Sequence, residues 1–70
     1  MPPNATITVN GEPKPLAAGQ TLRALIESLG LAAQPVAAEV NGTLVPRREH
    51  ESHELKPDDK IELVSLVGGG

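Results

Sequence analysis

A single stretch of this 70-residue chain carries a helical repeat, and that limits what the chain can fold into. Leu22, Leu25, Ile26 and Leu29 stand at i, i+3, i+4 and i+7, the apolar stripe of an amphipathic helix, with Arg23, Glu27 and Ser28 off the stripe. Thr21 is the predicted N-cap, with Gln20 as the alternative, and Gly30 stands where a left-handed residue would end a helix of about ten residues. Elsewhere the apolar period drops to two. Ala5-Thr6-Ile7-Thr8-Val9-Asn10 and Val36-Ala37-Ala38-Glu39-Val40 alternate as half-buried strands do, with Ala5, Ile7 and Val9, and Val36, Ala38 and Val40, facing inward.

The two Asn-Gly pairs, Asn10-Gly11 and Asn41-Gly42, are type I′ hairpin signals, because both residue types tolerate the positive φ that this turn demands. They predict return strands at Pro13–Ala17 and Thr43–Val45. Pro13 and Pro15 lack N–H groups on the same side of their strand, so it is predicted to lie at a sheet edge. Pro46 to Glu54 is charged and aperiodic and is predicted to be a solvent-facing connection, followed by Leu55 as an isolated apolar anchor. Lys56-Pro57-Asp58-Asp59 is a turn, with proline presetting φ at its second position. Ile61 to Val67 is the last and most apolar strand.

Five strands and one helix make an α+β domain with a sheet of about five strands packed on one helix. The helix can cover one face of that sheet, so the other face meets water or a partner. In the last strand Ile61, Leu63 and Val67 share one parity, while Val64 and Leu66 share the other. A strand apolar on both faces is predicted to be central. Val64 and Leu66, beside Val67, are predicted to form a partner-binding patch.

Composition removes several functions. There is no Phe, Tyr or Trp and the net charge is −3, so neither base-stacking platforms nor a basic footprint for nucleic acid is present. There is no cysteine, which excludes disulfides, thiolate catalysis and cysteine-bound zinc. Met1-Pro2-Pro3-Asn4 has neither a basic nor an apolar leader segment, and no apolar run approaches the ~20 residues that span a bilayer. A cytoplasmic location is expected, since a small domain without covalent staples suits a reducing compartment. His50-Glu51-Ser52-His53 contains two histidines, but they lack the His-Glu-x-x-His spacing that places both imidazoles on one helical face. They and the neighbouring Glu49, Glu51 and Glu54 are predicted to be solvated, with no metal bound; Arg47-Arg48 is read as surface charge. No glycine-rich phosphate loop opens a helix, so no nucleotide site is expected in the chain itself.

Residues 1–67 are thus predicted to form the domain, and Gly68-Gly69-Gly70 a flexible tail. Glycine has no Cβ and can be threaded through a narrow channel, and three extended residues reach roughly 10 Å. A free carboxylate on Gly70 is a weak nucleophile and a poor electrophile. Held beside ATP by another protein, it could attack the α-phosphate to give an acyl-adenylate, from which a sulfur or other nucleophile would displace AMP. The plain alternative is a frayed end or a cloning scar.

Three segments together carry a family resemblance: Ala18-Gly19-Gln20-Thr21-Leu22; Val40-Asn41-Gly42 running into Leu44-Val45-Pro46-Arg47; and Asp58-Asp59-Lys60-Ile61-Glu62-Leu63-Val64 leading to Val67-Gly68-Gly69-Gly70. Over essentially its whole length the chain resembles the β-grasp, or ubiquitin-like, family, and within it the ThiS sulfur carriers of thiamine (thiazole) biosynthesis. The resemblance implies a mixed five-stranded sheet wrapped around one helix. It implies a protein co-substrate that is not an enzyme and binds no cofactor, ATP being used by an activating partner. Gly70 would be adenylated by a ThiF-like adenylyltransferase and converted to a thiocarboxylate with sulfur from a donor protein. Sulfur would then pass to a ThiG-like thiazole synthase, with Gly68 and Gly69 as the stalk. The chain departs from the family in carrying Leu66 where many relatives have an aromatic residue. The small subunit of molybdopterin synthase, a ubiquitin-like modifier of lysines and an interaction module with an inert tail are the competing expectations.

Overall fold

Two positive-φ turns organise the sheet. In the computed structural model, which describes residues 5–66, Asn10 and Gly11 have φ of 50° and 86°, and Asn41 and Gly42 have 53° and 83°. Each pair closes an antiparallel hairpin: β1 (Thr6–Val9) with β2 (Glu12–Pro15), and β3 (Val36–Val40) with β4 (Thr43–Val45). The fifth strand, β5 (Lys60–Ser65), lies between them, parallel to β1 and antiparallel to β3, giving the order β2-β1-β5-β3-β4. This mixed sheet carries one helix, α1 (Leu22–Ser28), the architecture that the β-grasp resemblance implied.

The most apolar strand is central, as its two-faced pattern predicted. Ile61 sits opposite Val9 on one side and Val40 on the other, and all three are buried beneath the helix. β2 is an edge strand. Just beyond it the Leu16 N–H donates to the Ala5 carbonyl, and by alternation Pro13 and Pro15 turn their missing donors outward. It runs slightly earlier than predicted, ending at Pro15, with Leu16 adding one last backbone bond before the turn at Ala18-Gly19.

The helix is shorter than its apolar stripe suggested. Leu29 is its C-cap, and the chain leaves through Gly30 at φ 76°. The Gly30 N–H donates to Glu27 O and the Leu31 N–H to Ile26 O, a Schellman closure that satisfies two end carbonyls. Leu22, Leu25 and Ile26 are buried, and they meet Ile7, Leu55, Ile61 and Leu63 in one core without an aromatic ring.

β1 ends before β5 does, and a side chain continues the ladder. Asn10 Nδ2 donates to Leu63 O at 3.2 Å, and the Leu63 N–H donates to Asn10 Oδ1 at 2.8 Å. The other turn asparagine works similarly: the Lys60 N–H donates to Asn41 Oδ1 at 2.9 Å. Asn10 therefore has two separable roles. Asn10→Gly keeps the left-handed turn and removes only the side-chain bonds, which should cost about 1–2 kcal/mol. Asn10→Ala adds left-handed strain of roughly 1–2 kcal/mol to that loss. Urea titration should order the three proteins wild type, Gly, Ala; equal midpoints for wild type and Asn10→Gly would show that the side-chain splice contributes nothing.

Candidate functional site

The site predicted from the sequence has two parts, a glycine tail and the sheet face from which it leaves. Val67, Gly68, Gly69 and Gly70 lie outside the described residues. The described part is the end of β5. The Leu66 N–H donates to Pro35 O at 2.8 Å, and Ser65 Oγ donates to Gln34 Oε1 at 2.8 Å. The chain is thus held to the β3 approach up to the last described residue. Whatever follows Leu66 starts from a fixed point at the sheet's end.

The sheet face away from α1 is open. Its exposed large apolar side chains are Val64 at 59%, Leu66 at 58% and Leu44 at 62% of full exposure. Val64 and Leu66 stand where their parity placed them. Leu44 is an addition. Its strand has only three residues, too few for periodicity to assign a face, and its exposure follows from the pairing of Leu44 with Glu39.

The Pro46–Glu54 segment departs from its prediction. Far from being only a solvent-facing connection, it forms a short 3-10 turn, Arg47–Glu49, and then packs against the start of α1. The helix has unsatisfied N–H groups in its first turn that need acceptors. The Leu22 N–H donates to His53 O at 2.8 Å and the Arg23 N–H to His50 O at 2.9 Å, while the Ala24 N–H donates to Thr21 Oγ1 at 3.1 Å. Thr21 is therefore the N-cap, and Gln20 instead accepts from the Ala17 N–H through its side chain. Leu55, the isolated anchor, is fully buried and its N–H donates to Gln20 O.

His50 is not solvated, contrary to the sequence reading; it is 5% exposed. Its Nε2 lies 3.0 Å from Val45 O, and since a carbonyl only accepts, Nε2 carries the hydrogen. A ring tied to a backbone carbonyl inside the fold holds the Arg47–Glu49 turn onto β4. His53 is half-buried, and among the described residues no three His, Asp or Glu groups are placed to hold a metal. Arg47 and Arg48 are exposed, as read; Arg48 lies 3.9 Å from Glu49. A hollow of about 20 Å³ beside His50, bordered by Arg23, Gln34 and Arg47, has room for about one water and not for a substrate. No helix among the described residues is long and apolar enough to cross a membrane.

Known proteins with the same pattern can now be set beside this geometry. Residues 7–70 match the model of the ThiS family. A thiazole synthase of Magnetococcus marinus is 44% identical over 64 residues, which cover 91% of this chain but 20% of that protein. The chain thus spans about a fifth of the length of this relative. The sulfur carrier protein ThiS of Thermus thermophilus is 34% identical over 64 residues, covering 91% of this chain and 98% of that protein. The crystal structure of the thiamine biosynthesis protein ThiS from Geobacter metallireducens superposes with a TM-score of 0.75 at 29% identity, covering 93% of this chain and 99% of that one.

Proposed function

The chain belongs to the ThiS family of sulfur carrier proteins, and from that premise we propose that it carries sulfur as a thiocarboxylate on Gly70 for thiazole formation in thiamine biosynthesis. Carriers of this family are acted on by enzymes and are not enzymes. The observation that carries the reading is the extent of the family match. It runs through residue 70 and so takes in the three glycines, which supports reading them as the carrier's tail.

The chemistry follows from a carboxylate's properties. An oxygen of the Gly70 carboxylate attacks the α-phosphorus of ATP in a ThiF-like adenylyltransferase, and pyrophosphate leaves. The acyl-adenylate carbonyl is then open to attack because AMP is a good leaving group and glycine places no side chain in the way. A hydrosulfide sulfur displaces AMP and leaves the thiocarboxylate; a persulfide would leave an acyl disulfide, which a thiol must reduce. The thiocarboxylate delivers its sulfur to a ThiG-like thiazole synthase. The presence of a similar segment within a thiazole synthase chain supports that partnership. All of these steps are expected in the cytoplasm.

Val64 and Leu66, with Val67, are proposed to dock these enzymes, leaving the tail free to enter their sites. Placing a charge at the centre of such a patch should raise the dissociation constant of the adenylyltransferase complex tenfold or more, about 1.4 kcal/mol. Val64→Asp should do this with stability held within roughly 1 kcal/mol, since the side chain faces water in the free protein. Unchanged affinity would remove Val64 from the interface. The whole reading is tested by incubating the protein with ATP, its adenylyltransferase and a sulfide source. Intact mass should show one oxygen replaced by sulfur at the C-terminus; no replacement in the presence of an active adenylyltransferase would refute it.

A further inference from the structure

The open face is not simply apolar. Glu39 on β3 stands directly opposite Glu62 on β5, and Leu44 on β4 stands opposite Glu39, so Leu44, Glu39 and Glu62 form one row across three adjacent strands. Val64 lies one alternation further along β5 from Glu62, and Leu66 beyond it. Two carboxylates therefore sit between Leu44 on one flank and Val64 and Leu66 on the other.

Like charges directly opposite each other in an antiparallel pair destabilise a sheet. Among the described residues neither carboxylate has an ion-pair or side-chain hydrogen-bond partner. The ion pairs among the described residues are Arg23–Glu27 and Arg48–Glu49, both outside this row. Lys60 shares the face one alternation before Glu62 on β5, and among the described residues it forms an ion pair with neither glutamate. Placing these two charges opposite each other adds nothing to the fold.

We infer that the Glu39–Glu62 pair, within the apolar frame of Leu44, Val64 and Leu66, docks a protein partner that presents an arginine flanked by apolar side chains. Directly opposed residues in a sheet carry their Cβ atoms about 5 Å apart, which lets one planar guanidinium donate to both carboxylates. A second copy of this chain does not fit, because its own face would bring two more glutamates onto the pair. Nor does a nucleic acid or an anionic lipid surface, both of which carry the wrong charge.

The inference rests on the proposed docking role of this face and adds the charge of the partner. It predicts an opposition between stability and binding that a structural role would not produce. Glu39→Gln, Glu62→Gln and the double variant keep the side-chain shape and remove the repulsion. Their urea midpoints should equal or exceed that of wild type. Their association with the purified adenylyltransferase should weaken, by about tenfold for the double variant at low salt, and the association rate should become less sensitive to added salt. Glu39→Asp, which retains the charge, should recover most of the binding. If the double variant binds as wild type does while Val64→Asp does not, the charge assignment is overturned and the docking face stands. If Val64→Asp and the double variant both bind as wild type does, the docking face and this inference fall together.

Discussion

Removing Gly70 is expected to abolish adenylation by more than about a hundredfold while leaving the unfolding midpoint unchanged. The truncated protein still ends in a glycine carboxylate, now on Gly69, so the reacting group is chemically the same. What changes is reach. One extended residue is about 3.3–3.6 Å, and a displacement of about 1 Å from the in-line geometry already costs on the order of a hundredfold in rate. Stability should not follow, because a glycine has no side chain to bury and the buried set that joins sheet to helix runs from Ala5 to Leu63. ATP–pyrophosphate exchange with the adenylyltransferase reads the first effect and urea titration the second. Full exchange by the truncated chain would exclude Gly70 as the activated residue. Such a result would leave the family and the fold intact while removing the proposed chemistry.

Ile61→Ala is expected to have the largest effect on folding. Ile61 is fully buried near the start of the central strand, between Val9 and Val40. Truncation loses the transfer free energy of three carbons and leaves a cavity that two β-branched neighbours cannot readily close, a cost of about 2–5 kcal/mol. A domain of this size has roughly 4–10 kcal/mol in total, so one substitution removes a large part of it. The core is all aliphatic, so no large ring nearby can shift to fill the gap. Ile61→Val should cost about 0.5–1.5 kcal/mol and serves as the graded control. Equal midpoints for the two variants would mean that the core relaxes around the cavity and that packing at Ile61 is not limiting.

Much of this fold was legible because its signals are local. The stripe of Leu22, Leu25 and Ile26 buries as its spacing implied, and Thr21 caps the helix it precedes. The prolines of β2 placed that strand at an edge, and both asparagines adopt the positive φ that their turns require. The helix and β5 were predicted longer than they are within the described residues. Hydrophobic repeats continue past the point where capping geometry ends an element, as Leu29 illustrates. The candidate site was legible in part. Val64 and Leu66 announced themselves by parity in a long strand, whereas Leu44 sits in a strand too short for parity to work.

The clearest misreading was His50. Its charged neighbours marked it as solvated, yet the segment is pulled inward because α1 needs carbonyl acceptors for its first N–H groups and the His50 ring bonds the Val45 carbonyl of β4. Neither need is visible in residues 46–54 themselves.

By itself, then, the order of residues determined the five strands and the helix, the hairpin turns, which strand is central and which face of the longer strands is apolar. These depend on backbone preference and on neighbours within one or two turns of chain. Only the tertiary structure decided how the elements register. It brought Asn10 to Leu63 across 53 positions, turned the 50–55 segment into a cap for the helix, and set Glu39 opposite Glu62 on the open face. Register is set by the fit of whole strands and by where each turn ends, and no single segment carries that information.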